Sequence, residues 1–92
     1  MKDANGENAR GKSPFPTPGT LPAFPDAYRV KPKGQGKRRR ARWESGRDVI
    51  FEWDSLHGTL EKYNKRGEHL GEYDPITGDQ ISGPNPSYRI EP

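Results

Sequence analysis

A chain of 92 residues with 27 % hydrophobic residues, 11 Gly and 10 Pro cannot pack along its whole length. This excludes a large globular core and predicts one small domain with part of the chain disordered. The absence of cysteine excludes disulfides and thiolate metal sites, and no apolar run is long enough for a signal-peptide core or a membrane span. Net charge is only +3, yet residues 31–42, "KPKGQGKRRRAR", hold seven cationic side chains and no anionic one. Such a block suits a polyanion, and equally suits a solvated tail.

Residues 1–12 are polar and read as disordered. Residues 13–33, "SPFPTPGTLPAFPDAYRVKPK", carry a proline every few positions, which disfavours helix and central strand. They read as an extended linker with apolar teeth at Phe15, Leu21, Phe24, Tyr28 and Val30, some of them placed to pack on the domain downstream. The expected organisation is a flexible Pro-rich linker over 1–33 and a folded domain over 34–92. "RRARWES" is the first expected strand of that domain and "SGR" a turn. "RDVIFEWD" is a strand whose alternation puts Val49, Phe51 and Trp53 on one face and Asp48, Ile50, Glu52 and Asp54 on the other. "SLHG" is a loop, "TLEKYN" a strand, "KRG" a turn, "EHLGEY" a strand and "DPITGD" a turn. "QISGPNPSYRI" is an extended segment interrupted by "GPNP". Short strands separated by Gly turns predict a mainly β fold, a small, strongly twisted antiparallel meander.

Asp54, His57 and Glu61 have the spacing of one helix face, but they fall at a strand end, in a hairpin loop and on the returning strand. With 55–58 as the loop, Asp54 faces Thr59, Trp53 faces Leu60 and Glu52 faces Glu61. The last pair sets two carboxylates side by side, which disfavours joint ionisation and predicts a raised pKa for one of them. A fold gains nothing from that conflict, so it marks a candidate site. RNA brings its own nucleophile, the 2′-OH, and its cleavage needs a base, an acid and a cation. A glutamate, a histidine charged and oriented by an aspartate, and an arginine meet those needs without a metal or cofactor. The bland alternative is a solvated loop histidine beside surface carboxylates. A metal site at Asp54, His57 and Glu61 matches no familiar ligand motif. His69 reads as a surface or supporting residue.

The stretches "GKRRRARW", "GRDVIFEWDSLHGTLEKY", "GEHLGEYDPITGDQ" and "SGPNP", in this order, resemble the C-terminal cytotoxic domain of cloacin and the ribosome-inactivating colicins. Related domains tip contact-dependent inhibition and other polymorphic toxins. The resemblance covers roughly residues 34–92. It implies a metal-independent endoribonuclease that cuts 16S rRNA at the decoding centre, leaves a 2′,3′-cyclic phosphate and stops translation. It implies a chain secreted or delivered as part of a larger toxin, acting in the cytoplasm of a target bacterium, monomeric, with a cognate acidic immunity protein. Carried over by motif, Glu61 is the general base, His57 the general acid or phosphate stabiliser, and Asp54 the residue that positions and charges the histidine. The family's arginine after "GPxP" corresponds to the position of Tyr88, with Arg89 one place later, and on a strand one place swaps faces. Arg89 is the expected fourth catalytic residue, brought in by a bulge, with the basic run as the other source of a cation. Lys37, Arg38, Arg39, Arg40 and Arg42 are expected on rRNA phosphates, and Trp43, Tyr63 and Tyr73 on unpaired bases, core packing being the other role for each aromatic. Two alternatives stay open: a ribonuclease of this fold acting on tRNA or mRNA, and a non-catalytic basic RNA-binding module.

Overall fold

The computed structural model describes residues 15–34, 39–46 and 48–92. Six strands are present: β1 (Tyr28–Val30), β2 (Arg42–Ser45), β3 (Val49–Asp54), β4 (Thr59–Asn64), β5 (His69–Tyr73) and β6 (Gln80–Ser82). They form one sheet in sequence order, every neighbour antiparallel, so the fold is the expected mainly β meander. Among the described residues there is no helix, and hence none long and apolar enough to cross a membrane. The disorder expected for residues 1–12 lies outside the described residues.

The β3–β4 hairpin has the expected register, with Glu52 opposite Glu61, Trp53 opposite Leu60 and Asp54 opposite Thr59. Its loop closes through the Gly58 amide, which donates to the Asp54 carbonyl at 2.8 Å, with Gly58 at φ 71°. A side chain there would be strained and would run into the Phe15 ring.

One face of the sheet carries the apolar core: Leu21, Trp43, Phe51, Trp53 and Leu60 are buried, with Phe24, Ala27, Val49 and Tyr73 packed around them. The Pro-rich segment covers this face. Leu21 is 2 % exposed, Phe24 stacks on Phe51 at 4.6 Å between centroids, and Trp53 Nε1–H donates to the Phe15 carbonyl at 3.3 Å. The segment expected as a linker thus supplies core side chains and, at residues 28–30, strand β1 paired to β2, so the sheet begins upstream of residue 34. Prolines permit this because β1 is an edge strand flanked, not interrupted, by them.

The opposite face is polar and also buried. Arg42, Glu52, Asp54, Thr59, Glu61 and His69 are all 9 % exposed or less. The chain after β6 returns across this side. Arg89 forms an antiparallel bridge with Glu68, the Ile90 amide donates to the Gly67 carbonyl at 3.1 Å, and Arg42 Nη1 donates to the Glu91 carbonyl at 2.7 Å. Gly67, at φ 84°, is where this return passes closest, since a Cβ would collide with the Ile90 carbonyl oxygen.

The packing of Leu21 sets a test of whether the Pro-rich segment belongs to the folded unit. Leu21→Ala is expected to lower the unfolding free energy by about 2–3 kcal/mol in urea titration. A pure linker position would leave it unchanged.

Candidate active site

Cross-strand register builds the site. One row across the sheet reads Arg42, Glu52, Glu61, Glu72, Ser82, so three carboxylates stand abreast on three strands. The next row places Asp54 beside Thr59 at the mouth of the β3–β4 loop. Each acid has its own partner. Glu72 accepts from Thr59 Oγ1 at 2.6 Å and from Ser82 Oγ at 3.1 Å. Glu61 Oε1 lies 2.7 Å from His69 Nε2. Glu52 has the Arg42 guanidinium at 4.0 Å.

A bulge completes the arrangement. Pairing shifts between Lys62 and Tyr63, so Leu70 is the extra residue on β5, and both Glu72 (opposite Glu61) and His69 (opposite Tyr63) reach the polar face. Three residues apart on a regular strand, they would point to opposite sides.

The β3–β4 loop presents the histidine. Asp54 Oδ1 accepts the amides of Leu56 and His57 at 3.0 and 3.2 Å, a local turn that Asp favours at a strand end. Its Oδ2 lies 2.7 Å from His57 Nδ1. Burial works to raise the Asp54 carboxyl, but the hydrogen bonds from the His57 ring and the two amides outweigh it and hold it below the usual carboxylate range. The same ring bond, with the Asp54 charge and smaller contributions from Glu72 and Glu61, raises His57, whose side chain is 62 % exposed. With Nδ1–H engaged by Asp54, Nε2 is the nitrogen free to exchange a proton with a substrate. Glu52 is the carboxyl pushed up. Burial does this against the pull of Arg42 and Arg40, so the raised pKa expected of the Glu52–Glu61 pair has desolvation as its cause.

Asp54, His57 and Glu61 line a cleft of about 740 Å³ together with Arg39, Arg40, Tyr88 and Arg89. On its other side the same three residues line a second cleft of about 350 Å³ with His69, Glu72, Asn85 and Tyr88. Ligand atoms of Asp54, His57 and Glu72 lie within 4.8 Å of one another and could take up a cation, a set different from the three residues weighed on sequence.

A family model described as Cytotoxic matches residues 15–91. The chain belongs to the Cytotoxic family. It is 40 % identical to cloacin of Escherichia coli across 98 % of this chain and 17 % of cloacin. It is 50 % identical to colicin E3 of Escherichia coli across 66 % of this chain, and 49 % identical to colicin E6 of the same organism across 65 %, in each case 11 % of the relative. The chain therefore spans less than a fifth of the length of these relatives. The resemblance carried by the motifs is borne out, and the matched region begins in the Pro-rich segment.

Within this Cytotoxic-family fold, Asp54, His57 and Glu61 come together as the hairpin register requires. Arg89 lines the same cleft. It reaches there through a turn in which the Tyr88 amide donates to the Asn85 carbonyl at 2.9 Å, and its guanidinium sits 3.6 Å from Glu68. Lys37 and Arg38 lie outside the described residues. Arg39 and Arg40 are exposed at the cleft. Three expected RNA-binding residues are corrected. Arg42 is fully buried, held between Glu44 at 3.5 Å, Glu52 and the Glu91 carbonyl, so its guanidinium is not open to solvent. Trp43 is 1 % exposed in the core. Tyr63 contributes to the cleft wall but is 3 % exposed, its ring inclined at 64° to that of His69 with centroids 5.2 Å apart, so too little of it is open for a base to stack on. Tyr73 also packs against the core, with Lys62 Nζ 5.0 Å from its ring centre. Sequence reasoning gave Glu72 and Asn85 no part in the site, named Tyr88 only as the place of the family's arginine, and put His69 no closer than a surface or supporting position. Only the Leu70 bulge and the returning C-terminal segment assemble them.

The Asp54–His57 pair has a direct readout. In an NMR titration, His57 is expected to titrate above the ordinary value of 6.5, keeping its proton to higher pH than a free histidine. Asp54→Asn is expected to bring the midpoint back down toward that value.

Proposed function

We propose that this chain is the toxic domain of a larger bacterial toxin and acts as a metal-independent endoribonuclease, cutting 16S rRNA in the decoding centre of the small ribosomal subunit. The observation that supports it most is the convergence, in one cleft, of a histidine held by an aspartate at 2.7 Å, a separate glutamate, and three arginines. Glu61 takes the proton from a ribose 2′-OH, and the oxygen attacks the adjacent phosphorus. His57 gives its Nε2 proton to the departing 5′-oxygen, leaving a 2′,3′-cyclic phosphate and a 5′-OH. Asp54 favours the charged imidazole that this step consumes. Arg89 and Arg40 are the cations placed to meet the charge developing on the phosphorane.

Binding follows the same division. Arg39 and Arg40 take phosphates, and Tyr88, 47 % exposed and bordering both clefts, is the aromatic placed to stack on a splayed base. The producing cell would be protected by an acidic immunity protein matched to the basic rim. Membership of the Cytotoxic family, with cloacin and the colicins as relatives, supports the toxin reading.

Intact bacterial ribosomes incubated with the chain are expected to yield a discrete 3′ fragment of 16S rRNA on a gel. Glu61→Ala and His57→Ala should each slow its appearance by roughly a hundredfold or more. Unbroken 16S rRNA with the parent chain would overturn the assignment of substrate and turn attention to tRNA.

Cleavage should also weaken with rising salt. Arg39→Ala and Arg40→Ala should each lower kcat/KM and reduce the slope of its logarithm against log salt by about 1. A slope equal to that of the parent chain would remove these residues from the phosphate contacts.

A further inference from the structure

His69 is a buried titratable side chain that the proposed chemistry does not use. Its side chain is 2 % exposed, and its ring makes T-shaped contacts with Tyr63 at 5.2 Å and with Tyr88 at 5.0 Å between centroids. Both ring nitrogens are engaged. Nε2 lies 2.7 Å from Glu61 Oε1, and Nδ1 receives the backbone N–H of Asn85 at 2.9 Å. A backbone amide only donates, so Nδ1 carries the lone pair and the ring proton sits on Nε2. The hydrogen bond to Glu61 therefore runs from Nε2–H to the carboxylate.

Packing alone does not call for this. A histidine at position 69 reaches Glu61 only with a bulge at Leu70 and a C-terminal segment whose amide meets Nδ1. Glu61 borders both clefts, and a glutamate side chain has rotamers that would swing its carboxylate between them. The bond from His69 removes that freedom.

We infer that His69 is a positioning residue: the Asn85 amide selects its Nε2–H tautomer, and Nε2–H holds the Glu61 carboxylate in the orientation that accepts the 2′-OH proton. The inference deepens the ribonuclease reading and rests on it for its kinetic consequence. The geometry itself, an amide–imidazole–carboxylate relay, stands apart from that reading.

Two substitutions separate positioning from packing. In His69→Gln, the side-chain NH2 falls near the place of Nε2 and can still donate to Glu61. In His69→Asn, the side-chain oxygen falls near the place of Nδ1 and can still accept from Asn85, but Glu61 loses its donor. With both variants melting cooperatively, Gln is expected to keep kcat within about threefold of the parent, while Asn loses about tenfold or more with KM within about twofold. Parent-like kcat in Asn, or equal losses in Gln and Asn, overturns the positioning role. The relay is tested without RNA by imidazole 15N NMR of the parent chain, which has only two histidines. The ring assigned to His69, by its disappearance in the Gln variant, should show a bare Nδ1 and a protonated Nε2, and a proton on Nδ1 overturns the inference. A parent chain that cleaves no RNA would sink the ribonuclease reading, while the NMR result would still decide the relay.

Discussion

Three carboxylates abreast on one sheet face, Glu52 and Glu61 buried and Glu72 half-buried, are the constraint around which the rest of this molecule is arranged. Taking an ionised carboxylate out of water costs several kcal/mol unless partners replace the lost solvent. Here each acid in the row has a different partner: a guanidinium for Glu52, an imidazole for Glu61, and two hydroxyls for Glu72. Those partners come from four strands, so the row holds only when the whole meander has formed. Arg42, closing the row, is itself fully buried and leaves its Nε and Nη2 without hydrogen bonds. Its favourable contacts are the surrounding carboxylates and the Glu91 carbonyl. Basic and acidic groups on this face are therefore mutually dependent, since removing either leaves the other as an uncompensated buried charge.

A sheet this small would expose two faces to water, and each is covered by chain from beyond the central hairpins. The Pro-rich segment lays Leu21 and Phe24 on the apolar face, where the hydrophobic effect rewards any apolar side chain that reaches it. The C-terminal segment covers the polar face with backbone groups, which suit a surface whose needs are hydrogen bonds. The two coverings differ in kind because the faces differ in kind. The second also shapes the site, since Asn85, Tyr88 and Arg89 border the clefts that the strands alone would leave open.

Burial also divides the cationic and aromatic residues between structure and contact. Arg42 and Trp43 sit only two or three residues from Arg40 in the chain, yet they are interior while Arg40 is exposed. The division falls where the chain enters β2 and its side chains acquire neighbours from β1 and β3. A count of positive charges in residues 31–42 thus overstates what is open to a polyanion.

The β3–β4 hairpin was legible from the sequence because a four-residue loop and a two-residue period leave one register that buries Phe51, Trp53 and Leu60 together. That register alone brings Asp54, His57 and Glu61 to one place. The meander was legible for the same reason from β2 to β5, whereas β1 lies in the stretch whose prolines read as linker. What the sequence could not disclose depends on contacts without a local signature. The Leu70 bulge reverses the alternation of β5, so His69 and Glu72 share a face that their spacing denies them. The partnership of Asn85 with His69 joins residues on separate segments through a backbone amide, a group every residue but proline carries. The burial of Arg42, Trp43 and Tyr63 reflects which strands come to lie beside them. Short-range periodicity by itself determined the hairpins and the aspartate, histidine and glutamate they gather. The tertiary structure decided which charges are solvated and which side chains hold those three in place, because burial and bulged register are properties of neighbours, not of spacing.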